Sequence, residues 1–364
     1  MRITNRYLYS QLVKDLEQNT EKMFKLNGQI SSGKRINAPS DDPMGMASVL
    51  IYRTELNAFG QFKKSIEYST GWLSRTDAIL QDMDDLLGRA SELAVQQSSS
   101  TADSNTREGA AEEIKQIRSM VLDHANSKYG NKYMFGGTMT QHPPFLDVDV
   151  ANWQDDVSTI GTAPGAPADG DRYINAGDNH IYQYDGGTST WVDQGAPSEG
   201  TGVVVDDQNE LYVFSGGEWK TIYQGNTSVF SMRIGKGDTI ETNIPGSEVF
   251  TNPSGDIFMT LMRLEKALIN NDQDGIRAEL SNIEDSSKIL SNKLAKVGAI
   301  MNRLDHTKSV IERSNVDTQE RVSNLEDLDY AEGITSLQNQ QTIYQAALKS
   351  ASMITSLSLV DFIK

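Results

Sequence analysis

The sequence predicts a mainly α protein with an inserted β-domain, in which both chain ends build an elongated antiparallel helical rod. Three observations predict this fold class: the positions of the prolines, a heptad repeat in both flanks, and a middle segment of different composition. All nine prolines lie at Pro39, at Pro43, or between Pro143 and Pro253. The flanks can therefore form long helices, because proline inside a helix removes a backbone donor and clashes with the preceding turn.

A first helix is predicted from a heptad repeat near the N-terminus. Its apolar seam consists of Tyr9, Leu12, Leu16, Met23, Leu26 and Ile30. A polar residue, Asn19, also occupies a seam position. Residues 1–37 hold seven Lys/Arg and three Asp/Glu, a local charge of 7 − 3 = +4, although the whole chain carries −17.

The end of this helix and the start of the next are predicted from a short polar segment. Gly33 loosens the first helix, and Pro39 blocks its continuation. Asp42 is placed to cap the following helix, with Pro43 at that helix's first position.

Both flanks then continue with helical periodicity. The first flank has the seam Leu73, Thr76, Leu80, Met83, Leu87, Ala90 and Ala94, followed by a helix around Ile114, Ile117 and Val121. A helix with Ile257, Leu261, Leu264 and Leu268 precedes a longer seam made of Ile276, Leu280, Ile283, Leu290, Leu294, Val297, Met301, Leu304, Ile311, Val322 and Leu325. A helix of about 50 residues would be about 75 Å long. We expect these helices to pack as an antiparallel bundle.

The middle segment differs in composition and charge. Residues 141–249 hold 17 Asp/Glu and four Lys/Arg, so their charge of 4 − 17 = −13 is most of the total. A short pattern occurs twice, at 181–187 before Trp191 and at 211–217 before Trp219. Each copy alternates aromatic residues and reaches Gly-Gly, which predicts a β-hairpin. Further strands are expected in 231–250, around Gly235 and Gly237.

The C-terminal segment predicts a helix that other helices cover. Residues 334–360 contain a single charge, Lys349. Their apolar band consists of Ile334, Leu337, Ile343, Tyr344, Leu348, Ile354 and Leu357. Because so little charge solubilises a helix poorly, the two terminal helices suit self-assembly. A single intramolecular hairpin of the two helices would explain the same pattern.

No catalytic or cofactor-binding arrangement is found, so we expect a protein that is not an enzyme and needs no cofactor or metal. Cysteine is absent, and the four histidines are isolated. The segment 28–34 looks like a phosphate-binding loop, but Arg35 stands where Ser or Thr should bind magnesium, and a helix precedes it. The acidic residues Asp147, Asp149, Asp155 and Asp156 do not match a calcium loop.

The aromatic residues of the middle segment have two readings. Tyr182, Tyr184, Trp191, Tyr212, Phe214 and Trp219 would form either the core of a small β-domain or a platform on which sugars stack. Of the two, the core is favoured. Net negative charge argues against nucleic acid as a partner. No apolar run long enough to insert in a membrane and no cleavable signal peptide are expected.

Two motifs carry a resemblance to a known family. Residues 31–37 (SSGKRIN) followed by 40–43 (SDDP) resemble the N-terminal motif of the flagellin superfamily, which singles out Gly33, Arg35, Asn37, Asp41 and Asp42. The C-terminal residues Leu357, Leu359 and Phe362 resemble the chain ends of that family. Residues 133–138 (YMFGGT), 143–145 (PPF) and 240–250 are similar to the junction proteins that join hook and filament within it.

This resemblance implies a layered, flagellin-like architecture. Residues 1–40 plus 326–364 would form a terminal helical tube domain, 41–140 plus 251–325 a helical rod domain, and 141–250 an acidic outer β-domain. The terminal seam residues named above would mediate assembly, together with Leu337, Tyr344 and Leu348. Family members are exported unfolded through a type III pathway with a chaperone. They form a ring outside the cell, between a neighbouring hook-associated protein and flagellin.

Two other functions remain open at this point. A filament flagellin shares the same terminal motifs, and its many copies per flagellum would distinguish it from a junction protein. A surface adhesin would use the β-insert to recognise glycans.

Overall fold

The structure is a computed structural model that describes residues 2–99, 102–147, 154 and 156–360. It divides into two compact units, one of residues 1–63 and 308–364 and one of residues 64–307. Two long helices contribute to both units. The division into three domains at 40, 140, 250 and 325 remains a prediction.

Within the described residues, six helices follow the periodicity of the two flanks. They are α1 (Arg2–Ser32), α2 (Pro43–Gln97), α3 (Ser104–Ala125), α4 (Ile257–Ile269), α5 (Gln273–Glu326) and α6 (Tyr330–Val360). A mainly helical fold with an inserted β region is therefore confirmed. Within the first unit, Lys63 on α2 lies 3.5 Å from Glu312, and Arg53 lies 2.6 Å from Glu326, so α2 and α5 run antiparallel there.

The heptad repeat of α5 is visible in its burial. One seam position recurs every seven residues and is buried throughout, at Ile276, Ile283, Leu290, Val297, Leu304, Ile311 and Thr318. The other seam position, from Leu280 to Val322, is half-buried. All seven seam residues predicted for α2 between Leu73 and Ala94 are buried. Alternating steps of three and four residues thus place one face of each helix in the core.

The middle of the chain forms short strands. They are β1 (Lys128–Tyr129), β2 (Lys132–Tyr133), β3 (Ile160–Gly161), β4 (Arg172–Asn175), β5 (Ile181–Asp185), β6 (Thr190–Asp193), β7 (Gly202–Val205), β8 (Glu210–Ser215), β9 (Glu218–Thr221), β10 (Ser231–Arg233), β11 (Thr239–Glu241), β12 (Thr251–Asn252) and β13 (Gly255–Asp256). A 3-10 turn covers Gly246–Glu248. The two predicted hairpins are β5–β6 and β8–β9, and the strands expected around Gly235 and Gly237 are β10 and β11.

The two hairpins belong to different sheets that share one core. A four-stranded sheet has the order β3-β4-β5-β6, and a three-stranded sheet has the order β7-β8-β9. Between them lie the buried side chains of Val157, Ile174, Ile181, Val203 and Val205. The core is thus aliphatic rather than aromatic.

This arrangement corrects the favoured reading for some of the aromatic residues and agrees with it for others. Tyr212 and Trp219 pack against the shared core, and the Trp219 indole donates to the Asn179 carbonyl at 2.9 Å. Tyr182 and Tyr184, in contrast, point to the face of the four-stranded sheet opposite the core. Their strand alternates Ile181 inward with Tyr182 outward, so the pleat that buries one residue turns the next away.

Candidate assembly surface of the terminal helices

Helices α1 and α6 pack against each other in antiparallel orientation. A methyl group at Gly333, near the start of α6, would lie 3.5 Å from Ile30, near the end of α1. Farther along the pair, Gln340 Nε2 donates to Asn19 Oδ1 at 2.8 Å. The polar pair joins two seam positions, and such a pair at a helical seam favours one register over others.

On α1, the structure brings the predicted seam residues together on one face. Leu12, Leu16, Met23, Leu26 and Ile30 are all half-buried in the chain. Their heptad spacing therefore predicted the face correctly. Half-burial also means that one partner helix does not fully cover them.

On α6, the seam differs from the predicted apolar band. The seam residues, which are buried or half-buried, recur in steps of three and four: Gly333, Leu337, Gln340, Tyr344, Ala347 and Ala351. Ser336, beside Leu337, is half-buried as well. Of the predicted residues, Leu337 and Tyr344 belong to this seam, whereas Leu348 is 45% exposed. Small residues occupy the seam because they let α6 approach α1 closely.

Several large apolar side chains of the pair remain uncovered. On α6, Ile334, Ile343 and Met353 are 46%, 51% and 58% exposed, and on α1 Phe24 is 73% exposed. Phe24 lies beside Val13, Leu16 and Thr20 on an open face of α1. The side chains of Leu357 and Leu359 are not described, and Phe362 lies outside the described residues.

The turn after α1 requires a glycine. Gly33 has φ +70°, and a Cβ there would lie 2.8 Å from the Tyr330 hydroxyl oxygen. Its carbonyl accepts the Leu328 amide at 2.9 Å. Gly33 thus ends α1 in a left-handed conformation and joins the turn after α1 to the turn after α5.

A buried carboxylate holds these two turns together. Glu326, the last residue of α5, has a side chain that is 5% exposed. Lys34 Nζ lies 2.7 Å from it, and Arg53 Nη2 donates to both of its oxygens at 2.6 and 2.8 Å. The Arg35 amide donates to the Glu326 carbonyl at 2.6 Å, and Arg35 Nη2 donates to the Leu325 carbonyl at 2.7 Å. Charge-assisted hydrogen bonds of this kind are among the stronger ones in proteins.

The remaining motif residues organise the chain between α1 and α2. Asp41 accepts the amides of Asn37 and Ala38 at 3.0 Å each, and Lys25 Nζ lies 2.9 Å from it. The Lys25 ammonium, followed by the two amides, lowers the pKa of the Asp41 carboxyl. Asp42 Oδ1 accepts the Gly45 amide at 2.8 Å, and α2 begins at Pro43, as the sequence predicted.

Each of the five motif residues therefore has a partner within the chain. Gly33, Arg35, Asn37, Asp41 and Asp42 shape and fasten the turn between α1 and α2, and their part in assembly remains a prediction. Sequence reasoning missed Glu326 and Arg53, which are separated by 273 positions. It also missed Gln340 as the partner of Asn19. No local pattern distinguishes these residues, because their role depends on which distant segments meet.

The described residues do not offer a metal site or a membrane span. Among them, no group of three or more His, Asp or Glu side chains is arranged to hold a metal ion. Likewise, no helix within the described part combines the length and apolar character that crossing a membrane requires. Residues 28–32 of the phosphate-loop look-alike lie inside α1. His180 pairs with Asp193 at 2.9 Å, and Asp149 and Asp155 lie outside the described residues.

Comparison with known proteins identifies both flanks. Residues 3–140 match the family model of the bacterial flagellin N-terminal helical region, and residues 280–363 match that of the C-terminal helical region. The chain is 22% identical to flagellar hook-associated protein 3 of Escherichia coli over the whole length of both proteins. It is 27% identical to the protein of that name in Salmonella typhimurium, over 40% of this chain and 46% of the relative.

A solved structure shares the fold. A flagellar hook-associated protein from Vibrio parahaemolyticus superposes with a TM-score of 0.55 at 15% identity, over 79% of this chain and all of that chain. FlgL from Bacillus cereus superposes with a TM-score of 0.50 at 19% identity, over 75% of this chain and 99% of that chain. Both family matches establish the family, together with the terminal helices and the inserted β region of the chain. The present chain therefore belongs to the flagellin family, whose members are structural proteins of the bacterial flagellum.

Proposed function

We propose that this chain is the structural subunit that joins the hook to the filament of the bacterial flagellum. The observation that carries the proposal is the incomplete cover of the α1–α6 pair. Phe24, Ile343 and Met353 are each more than half exposed, on helices that pack against each other along a different face. Uncovered apolar side chains on a helix pair favour its packing against further helices.

The charge of α6 supports burial in an assembly. Residues 334–360 contain one charged side chain, so covering this helix with neighbouring helices would desolvate almost no charge. The subunits would therefore form a ring through their terminal helices. On either side of the ring we place a neighbouring hook-associated protein and flagellin, since the full-length relative is named a hook-associated protein.

The route to this position is part of the proposal. The subunit would leave the cell unfolded through the flagellar type III pathway, with an export chaperone covering its terminal helices. The absence of cysteine suits such a route, because no disulfide would block unfolding. Isolated helices are marginally stable without packing, so neighbouring subunits would further stabilise the α1–α6 pair on assembly.

Immunogold labelling of isolated flagella with an antibody to residues 141–249 tests the position. A single band of label between hook and filament is expected, because one ring of subunits occupies the junction. Label along the whole filament would instead make this chain a flagellin, and unlabelled flagella would remove the flagellar role.

The same labelling experiment on two variants tests whether the uncovered apolar residues of α6 are needed for assembly. Ile343→Asp places a charge on the uncovered face of α6, so we expect a folded protein that no longer labels the junction. Gln341→Asp is the matched control, because Gln341 is exposed, polar and two residues away. Normal labelling with Ile343→Asp, or equal loss with both variants, would contradict the proposed surface.

A further inference from the structure

The four-stranded sheet has two chemically different faces. Ile174 pairs with Ile181 in register, and both side chains enter the core between the sheets. Tyr173 pairs with Tyr182, and Tyr184 pairs with Trp191, on the opposite face. Residues paired in register share a face, so the four rings form one continuous surface, here called the aromatic face.

The rings of the aromatic face support one another. Tyr173 and Tyr182 are stacked at 5.5 Å between ring centroids, and Trp191 meets Tyr173 edge-on at 4.7 Å. Trp191 also meets Tyr184 at 5.2 Å. Tyr173 is only 7% exposed, whereas Tyr182, Tyr184 and Trp191 are half-buried. Tyr173 thus holds Tyr182 and Trp191 in place, and Trp191 in turn supports Tyr184. Tyr182, Tyr184 and Trp191 each keep part of their surface open to a ligand.

Polar groups occupy one end of the same face. Asp193 pairs with Tyr182 in register. Asn175 lies opposite His180, and its backbone amide donates to the His180 carbonyl at 3.0 Å. Asp178 accepts from the Tyr182 hydroxyl at 2.8 Å and from the His180 amide at 3.0 Å. These side chains are planar and carry acceptors and donors beside the rings.

Two charged groups of this polar end, His180 and Asp193, form an ion pair. His180 Nδ1 lies 2.9 Å from the Asp193 carboxylate, and that carboxylate also accepts the Gly195 amide at 2.8 Å. Hydrogen bonding to Asp193 raises the pKa of His180, so both partners can be charged and compensate each other. Spare hydrogen-bonding capacity remains, because each carboxylate oxygen can accept more than one donor.

We propose that the aromatic face and its polar end bind a neutral oligosaccharide. The apolar C–H face of a pyranose ring packs on Tyr184 and Trp191, and its hydroxyl groups bond to Asp193, His180 and Asn175. Anionic ligands are disfavoured, because residues 141–249 carry a charge of −13. For a cationic ligand this face offers one carboxylate without a cationic partner, Asp178, and its oxygens already accept from the Tyr182 hydroxyl and the His180 amide. This inference concerns the β region and is independent of the assembly role of the terminal helices.

The test uses the full-length protein with ¹⁵N-labelled tryptophan, titrated in turn with cellohexaose, chitohexaose and mannohexaose. We expect the indole N–H signal of Trp191 to shift in a saturable way, with a dissociation constant of about 1 mM. The indole of Trp219 is the internal reference, because it is engaged by Asn179 between the sheets. Added NaCl should leave the affinity unchanged, since a neutral ligand is not screened.

Two variants distinguish the aromatic face from the rest of the sheet. Tyr184→Ala should weaken binding about tenfold, equivalent to about 1.4 kcal/mol, because one stacking ring is lost. Val192→Ala is the matched control, since Val192 is 43% exposed on the neighbouring strand and pairs with Gln183 on the other face. The near-ultraviolet circular dichroism of each variant checks that the sheets remain packed.

Three outcomes would overturn the proposal. The first is no shift of the Trp191 signal with any of the three sugars up to about 10 mM. The second is an equal effect of Tyr184→Ala and Val192→Ala on the affinity. The third is a salt-sensitive shift with hexalysine in place of the sugars, which would make the face a site for cationic peptides.

Discussion

At the scale of single residues, Glu326 carries the connection between the two turns of the first unit. Its carboxylate is buried against Lys34 and Arg53, and its carbonyl accepts the Arg35 amide. A buried carboxylate is stable only while its partners remain, since water no longer solvates it. All three contacts join Glu326 to the N-terminal part of the chain, so this one residue fastens both ends of the chain.

Replacing Glu326 with glutamine should destabilise the first unit by about 2 kcal/mol, because it leaves Lys34 and Arg53 unpaired. The loss is not larger because both cations are about half exposed to water. Urea unfolding followed by circular dichroism measures the change. Glu312→Gln is the matched control on the same helix, since Glu312 and Lys63 are about half exposed and their pair is worth about 0.5 kcal/mol. Equal effects of the two variants would show that burial of Glu326 is unimportant.

Residue-level prediction from sequence worked where the cause was local. Asp42 and Pro43 were placed correctly at the start of α2, because a cap acts within three residues. Glu326 could not be recognised, because its partner Arg53 is 273 positions away and charged residues are common on exposed helix faces. Asn19 was seen at a seam position, but its partner Gln340 was hidden among many similar polar residues of α6.

At the scale of elements, periodicity predicted the long helices and failed for one seam. The seven-residue spacing of α5 matches its buried positions from Ile276 to Thr318. In α6 the predicted apolar band was only partly right, since Leu337 and Tyr344 lie in the seam whereas Ile343 lies outside it. The seam also takes small residues that the band did not include: Gly333, Ala347 and Ala351. Hydrophobicity favours large side chains as core residues, whereas close helix packing can select small ones. The apolar residues left over are then free for other subunits.

The residue that caps the start of α4, Asp256, has a raised pKa. Asp256 caps this helix by accepting the Met259 amide at 2.8 Å. Burial raises the pKa of the Asp256 carboxyl to about 7, although the amides of Met259 and Phe258 oppose the shift. The folded protein therefore binds a proton that the unfolded chain, with a value near 3.8, has released. Between these two values the stability contributed by this group falls as the pH rises, and above about pH 7 the loss is complete.

Asp256→Asn should remove this pH dependence, because the amide oxygen still caps α4 but cannot ionise. Urea unfolding of both proteins at a series of pH values should show the variant gaining stability relative to the wild type from about pH 4 to about pH 7. Asp103→Asn is the matched control at the start of α3, where the amide of Thr106 lowers the pKa of Asp103. The stability difference between Asp103→Asn and the wild type should change only below about pH 4. Parallel pH profiles for the two variants would therefore refute the raised pKa assigned to Asp256.

At the scale of the whole molecule, two long helices pass from one compact unit into the other. Both chain ends meet in the first unit, as the heptads at the two ends indicated. The unit boundaries fall at residues 63 and 308, inside the uninterrupted helices α2 and α5. Composition marks a boundary where helix gives way to loop or strand, so it offered no signal within a continuous helix.

Removal of residues 334–364 separates the roles of the two units. The deletion takes away nearly all of α6, so Leu16, Met23 and Ile30 on α1 lose the helix that half-covers them. The unit of residues 64–307 contains none of the deleted residues, and its cooperative unfolding should be unchanged. Because both the seam and the uncovered apolar residues of α6 are lost, the truncated protein should be absent from isolated flagella. Incorporation at the level of the full-length chain would mean that α1 alone suffices for assembly.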